Sequence, residues 1–257
     1  MTTSRINLNA DLGESFGAWQ MGDDAALLQI VGSANIACGF HAGDPAIMRD
    51  TVRLALAQGV SLGAHPSFPD LQGFGRRAMQ MSTRDLEATV LYQVGALQAI
   101  AAAEGGRVTH VKPHGALNNI ACVDAAVADA VVRAVQALDR DLILLAPAHS
   151  VLAQRGEAAG LPVRFEVFAD RSYLDDGQLM PRARAGAVLH DAAQCVDHVL
   201  RMVSEQAIVA HSGVRLPTRI DSICLHGDGA EAVASARQVR AALEAAGYTL
   251  APLDRLR

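Results

Sequence analysis

Aromatic residues are scarce in this chain, 4% of 257 positions, although 51% of the residues are hydrophobic. An apolar stock of Ala, Val and Leu with so few rings favours helices packed on a sheet over an aromatic-rich β-sandwich. Cysteine is also sparse. Cys38, Cys122, Cys195 and Cys224 show no CxxC spacing, which argues against disulfides and against a structural zinc site. Charge of neither sign accumulates: the net charge is −5 with signs interspersed, so there is no basic stripe for nucleic acid. No apolar run approaches the roughly 20 residues that span a bilayer. The N-terminus, MTTSRINLNADLGES, lacks the basic and then apolar order of a secretory signal. A cytoplasmic protein acting on a small soluble molecule is the expectation. There is no G-x-x-x-x-G-K-[ST] string and hence no P-loop. No low-complexity stretch or linker divides residues 1–257, so a single domain is expected.

What is present is a regular alternation of short apolar runs with longer stretches of helical periodicity, the pattern of a parallel βα fold. Strands are predicted at 6–9, 33–38, 60–64, 108–112, 141–146, 163–168 and 221–225. Helices are predicted at 23–31, 44–58, 82–104, 123–138, 148–159, 190–205 and 229–246. Asp44 before Pro45 reads as an N-cap with proline in the first turn, and Ser82 with Asp85 resembles a capping box. Residues 169–189 break the rhythm and are expected to form a long loop or small hairpin over one end.

Alternation alone fits both an open doubly wound sheet and a closed barrel. Side chains on a strand alternate with period two, which puts Asn7, Asn9 and Asp11 on one face of INLNAD. His110 with Lys112, Glu166 with Asp170, and Ser222 with Cys224 and His226 share faces in the same way. An open sheet covered by helices on both sides should be apolar on both faces. A barrel can turn polar groups into its lumen, so a TIM-like (β/α) barrel of about seven strands is the favoured fold.

Polar groups gather at the ends of successive strands, where barrel active sites are built. Asn9, Asp11 and Glu14 follow the first; Asn35, Cys38, His41 and Asp44 flank the second; His65, Asp70, Arg76 and Arg77 follow the third. Lys112, His114 and Asn118 close the fourth, Glu166, Asp170, Arg171 and Tyr173 mark the sixth, and His226 and Asp228 the seventh. His65-Pro66 and Lys112-Pro113 each stop a strand and aim a side chain outward. A fixed lysine among histidines and carboxylates suits hydrolysis of an amide or similar bond. The competing reading is a buried ion-pair network that ties strand ends together. His190, His198 and His211 read as surface residues, and Cys122 and Cys195 as packed thiols. The glycines of HGDGAEA could hold an anion at a helix start, although a plain tight turn explains them as well.

The strings LNADLGESFG, NIACGFHAGDP, GAHPSFPDLQGFGRR, HVKPHGALNN, EVFADRSY and CLHGDG, in that order from about residue 5 to 250, resemble the LamB/YcsF family. The resemblance implies a seven-stranded barrel related to glycoside hydrolases and polysaccharide deacetylases. It also implies a part in 5-oxoprolinase activity: ATP-dependent opening of the lactam 5-oxo-L-proline to L-glutamate, with partner subunits B and C. ATP would be a co-substrate, with its binding subunit left open, and a divalent metal is neither required nor excluded. From the strand-end pattern, the catalytic candidates are Asp11, His41, His65, Lys112, His114 and Asp170. Asn9, Glu14, Asn35, Cys38, Asp44, Arg76, Glu166, Arg171, His226 and Asp228 are the candidates for lining or substrate binding. Cys38 is expected to line the pocket and not to act as a nucleophile, since water can open an activated lactam. One departure is HGALNN, where HGALYN is the commoner form of the family. Two other readings stay open: a stand-alone metal-dependent deacetylase or carbohydrate hydrolase with Asp11, His41 and His65 as ligands, and a non-catalytic scaffold.

Overall fold

A computed structural model describes residues 4–226 and 232–256. Parallel strands β1 (Arg5–Leu12), β2 (Ser33–Ala37), β3 (Ser61–His65), β4 (Val108–Val111), β5 (Ile143–Pro147) and β6 (Val163–Phe168) follow one another around the sheet. Two short strands intervene, β7 (Ala207–Val209) and β8 (Arg215–Pro217), before β9 (Ser222–Leu225) pairs with both β6 and β1. That double pairing closes a barrel of seven parallel strands. A last strand, β10 (Thr249–Leu250), adds to β1 outside the ring. Each of the seven barrel strands coincides with an expected one, with ends shifted by a few residues.

The outer layer comprises α1 (Asp24–Leu28), α2 (Pro45–Ala57), α3 (Thr83–Ala103), α4 (Gly115–Ala121), α5 (Ala125–Leu138), α6 (Val151–Ala158), α7 (Ala192–Glu205) and α8 (Ala232–Ala245). Local chemistry sets most of their starts. Asp23, Asp44, Ser82, Asp124, Ser150 and Asp191 each accept a hydrogen bond from a backbone N–H of the first turn, which is worth about 1 kcal/mol per cap. At Asp44 the first-turn Pro45 leaves no N–H to satisfy. By length and composition α3 could cross a membrane, contrary to the expectation that no run comes close. Its buried residues Leu86, Val90, Val94, Leu97 and Ala101 nonetheless recur every three or four positions, the single stripe of a helix lying on a barrel.

Several elements go beyond those expected from the sequence. The helix α4 is short and its cap residue, His114, makes no side-chain capping bond, so the usual start signal is missing. The antiparallel β7–β8 pair is only three residues on each side. The strand β10 comprises two residues. Residues 169–189 do form the loop expected over one end, held by bridges Arg171–Val188 and Tyr173–Leu179.

The barrel interior is polar, as the alternation on β1 requires. Asn7 donates to Ser33 Oγ at 2.9 Å and accepts from Ser222 Oγ at 2.7 Å, while Asn9 donates to Ser222 Oγ at 2.8 Å. Above them Asn35 donates to Asn9 Oδ1 at 2.7 Å and to Asp11 Oδ1 at 2.9 Å, and its own oxygen meets His110 Nε2 at 3.1 Å. These side chains are buried, and their bonds offset the cost of removing them from water. At the far end, Leu253 and Leu256 around a 3-10 turn pack on Ile143 and Leu145 of β5 and stop the barrel with an apolar plug.

Gly63 on β3 faces the His110 ring so closely that a Cβ there would overlap the imidazole. Gly63→Ala is expected to lower stability by about 2–3 kcal/mol in urea denaturation through overpacking. In a His110→Ala background the same change should cost under about 1 kcal/mol, because the clashing ring is gone. Equal costs in both backgrounds would refute this packing account.

Candidate active site at the barrel mouth

The C-terminal ends of the strands open into a cavity of about 450 Å³. Asp11, Glu14, His65, Arg76, Lys112, His114, Arg171 and His226 all line it, so residues from five strand ends converge. The overlying loop contributes Gln178, Leu179, Met180, Pro181 and Arg182.

Lys112 lies just past β4, and period two turns it inward above His110. Its ammonium donates to Asp11 Oδ1 at 2.9 Å, reaches Cys224 Sγ at 3.1 Å, and pairs with Glu166 Oε1 at 2.9 Å. Glu166 meets the ammonium as an ion pair without hydrogen-bond alignment. Burial works to raise the Asp11 pKa, but His65 and Lys112 overcome it and hold the carboxyl well below its ordinary range. Burial works to lower Lys112, and Asp11, Cys224 and Glu166 more than offset it, so the ammonium is strongly retained. Glu166 moves the other way, upward, because burial outweighs Lys112. His110 beneath is neutral: burial first, then the Lys112 charge, lower its pKa to about 3.

Beside this ion pair stand three histidines. His65 Nδ1 lies 2.7 Å from the Lys112 carbonyl, and His65 Nε2 lies 3.3 Å from Asp11 Oδ2. His114 Nε2 lies 2.9 Å from the Phe74 carbonyl, and its Nδ1 is 3.0 Å from His65 Nε2 and 3.5 Å from Glu14 Oε1. His41 stacks flat on His114, centroids 3.8 Å apart, and its Nε2 is 3.2 Å from Glu14 Oε1. Burial pushes both His41 and His114 well below the ordinary histidine range, and it raises Glu14. The Phe74 carbonyl is aimed by a left-handed backbone, φ 54°, in a turn pinned by Asp70, which accepts from Gly73 N and pairs with Arg77.

Several sequence candidates sit elsewhere. Cys38 belongs to the apolar core, its thiol donating to the Ile36 carbonyl, and burial pushes its pKa up to about 12; it is not pocket lining. Asp44 caps α2 and accepts from Gly17 N, so its carboxylate is spent on backbone and not on a ligand. Asn9 and Asn35 lie beneath Asp11 and orient it without reaching the cavity. His41 is wholly buried behind His114. Arg171 borders the cavity but uses its guanidinium to tie the loop, donating to the Met180 and Ala187 carbonyls. His198 is not a plain surface residue, since its Nε2 donates to the Arg171 carbonyl at 3.0 Å. Asp228 and the glycines that follow His226 lie outside the described residues. Sequence reasoning missed Arg182, which nothing in its loop marks, and the role of Cys224 beside Lys112, which the shared face with His226 could have signalled.

Asp170 leaves the main cavity and pairs with His226, Nδ1 to Oδ1 2.7 Å. Burial opposes both charges, yet each partner outweighs it, raising His226 above 6.5 and lowering Asp170 below 3.8. The His226 contribution to stability is complete below pH 6.5 and is lost as pH rises through its raised folded value. The Asp170 contribution is present above pH 3.8 and is lost as pH falls through its depressed folded value. Asp170→Asn should therefore lower the His226 pKa in an NMR titration and flatten the stability profile above pH 6.5 and below pH 3.8, where the pair's contribution changes. An unchanged His226 titration would show that the pair is not the cause.

Comparison with known proteins places this arrangement. The LamB/YcsF family model matches residues 6–257. The chain is 62% identical over 252 residues to the 5-oxoprolinase A subunit of Azoarcus sp. (strain BH72), covering 98% of each protein. The crystal structure of the lactam utilization protein from Thermus thermophilus superposes with a TM-score of 0.91 at 46% identity, over 96% of this chain and 99% of that one. The catalytic domain of a peptidoglycan N-acetylglucosamine deacetylase from Eubacterium rectale ATCC 33656 shares the fold alone, with TM-score 0.54 and 13% identity over 99% of this chain and 90% of its own. With the family model spanning nearly its whole length, the chain belongs to the LamB/YcsF family.

Proposed function

We propose that this chain is the A subunit of an ATP-dependent 5-oxoprolinase and, with subunits B and C, opens the lactam of 5-oxo-L-proline to give L-glutamate. The observation that carries the reading is the mouth cavity itself, which sets Glu14 and Asp11 against Arg76 and Arg182 around a space suited to a small acid. The similarity to proteins named as the 5-oxoprolinase A subunit and as a lactam utilization protein supports the same substrate class.

The chemistry explains the need for ATP. An unstrained five-membered lactam is a stable amide, and transfer of a phosphoryl group to its oxygen makes the ring carbon a better electrophile. Water then adds to that carbon, the C–N bond breaks as the nitrogen takes a proton, and a second water releases phosphate. Glu14 is the stronger base of the two mouth carboxylates, because burial raises its pKa whereas Asp11 is held low. Asp11 and Lys112 form a fixed charge pair beside it, and a preorganised cation steadies charge that develops on oxygen. Arg76, reaching the cavity beside the Phe74 ring, and Arg182 supply cations for the substrate carboxylate or phosphoryl oxygens.

The test is glutamate release from 5-oxoproline and ATP with all three subunits present, then with this one omitted. Release should stop without it, and undiminished release would overturn the reading. In the full complex Glu14→Gln should lower kcat by about 10²–10⁴-fold with KM little changed. Arg76→Met should mainly raise KM.

A further inference from the structure

Two histidines at the mouth each turn one ring nitrogen to a backbone carbonyl and the other into a shared space. A backbone carbonyl can only accept, so His65 Nδ1, 2.7 Å from the Lys112 oxygen, carries a hydrogen. By the same logic His114 Nε2, 2.9 Å from the Phe74 oxygen, carries one. The remaining nitrogens, His65 Nε2 and His114 Nδ1, face each other at 3.0 Å. Glu14 Oε1 is 3.5 Å from His114 Nδ1, and Asp11 Oδ2 is 3.3 Å from His65 Nε2. Two imidazole nitrogens and two carboxylate oxygens, each able to offer a lone pair, thus gather at one part of the mouth.

A divalent cation would engage these lone pairs together. Histidine ligands of a metal characteristically donate their second ring N–H to a backbone carbonyl or carboxylate, which is the state of both rings here. The rings meet edge-on at 85°, so both in-plane lone pairs can point at one centre. Their 3.0 Å separation is within a few tenths of the about 3.3 Å between two nitrogens on a tetrahedral zinc. Charge points the same way: Asp11 and Glu166 pair with the buried ammonium of Lys112, whereas the ion-pair partners of Glu14 are the rings of His41 and His114.

We infer that His65 Nε2, His114 Nδ1 and Glu14 Oε1 form a binding site for a zinc-class divalent cation, with Asp11 Oδ2 at its margin. His41 is excluded as a ligand alongside His114. The two rings are parallel within 9° at 3.8 Å, and no single ion can lie in both ring planes. His41 is a positioning residue: it stacks on His114 and donates Nε2–H to Glu14. The set therefore differs from Asp11, His41 and His65, the triad suggested by sequence alone. Two imidazoles and a carboxylate suit zinc or its neighbours in the first transition row better than magnesium or calcium. Glu14 engages the ion through one oxygen and keeps the other for proton transfer.

This site is independent of the lactam reading, and its test needs no substrate. The full-length chain, stripped with chelator, is titrated with Zn²⁺ by calorimetry and with Co²⁺ by visible absorption. One equivalent should bind, and the Co²⁺ complex should show the intense visible bands of a low-symmetry site. His65→Gln and His114→Gln should each abolish those bands, while the exposed-residue control His190→Gln should leave them intact. His41→Gln should retain the site with affinity reduced by about 10–100-fold and with shifted bands. Absence of stoichiometric binding by the wild-type chain overturns the proposal whatever the variants do. Binding that survives in both His65→Gln and His114→Gln overturns it as well. Failure of metal binding with glutamate release intact would leave the lactam assignment standing.

Discussion

Lys112 carries its ammonium into the barrel, 2.9 Å from both Asp11 and Glu166, and the architecture of the mouth follows from keeping that charge buried. Taking one ammonium and two carboxylates out of water is costly, and the arrangement holds only because further polar groups surround them. Asn35 meets the Asp11 oxygen that Lys112 also uses, Asn9 lies within reach of the ammonium, and the Phe168 ring sits 5.3 Å away. Removal of one partner from such a pair typically costs about 3–5 kcal/mol, since the survivor is left buried and unpaired. The ion pair therefore belongs to the fold as much as to the chemistry. The buried network and the candidate active site, opposed alternatives from sequence, share Asp11 and Lys112.

The same constraint explains why the lumen is polar throughout. Once β1 turns Asn7, Asn9 and Asp11 inward, each neighbouring strand must answer with donors and acceptors at the matching height. Ser33 and Ser222 meet Asn7, Asn35 meets Asn9, and Lys112 meets Asp11. The His110 imidazole, neutral and held by Asn35 and Thr109, fills the width that Gly63 leaves free. Apolar packing is left to the shell between strands and helices and to the plug at the bottom.

Much of this is legible in the sequence because period-two polarity is a local signal. It marks β1, β4, β6 and β9 as facing a lumen, and local caps such as Asp44-Pro45 and Ser82 mark helix starts. Site membership is less legible, because proximity in sequence to a strand end does not say which way a side chain turns. Cys38 and Asp44 both follow β2 in sequence, yet one packs in the core and the other caps a helix. His41 is a neighbour of the site, as its position after β2 suggests, but sits one layer behind it. Arg182 and Phe74 are beyond reach: the first depends on how a long loop folds back, and the second acts through its backbone oxygen.

The barrel closes through contacts between residues far apart in sequence. Asn7 and Asn9 of the first strand find partners in Ser222, and Asn7 also donates to the Ala251 carbonyl. During synthesis, those amides emerge from the ribosome long before the groups that satisfy them. The early βα units can collapse on their helices, but the interior face of β1 stays hydrated until β9 arrives and the C-terminal plug shuts the floor. The floor beneath the Asp11–Lys112 mouth thus depends on Ala251, Leu253 and Leu256, far in sequence from the strand that carries Asp11.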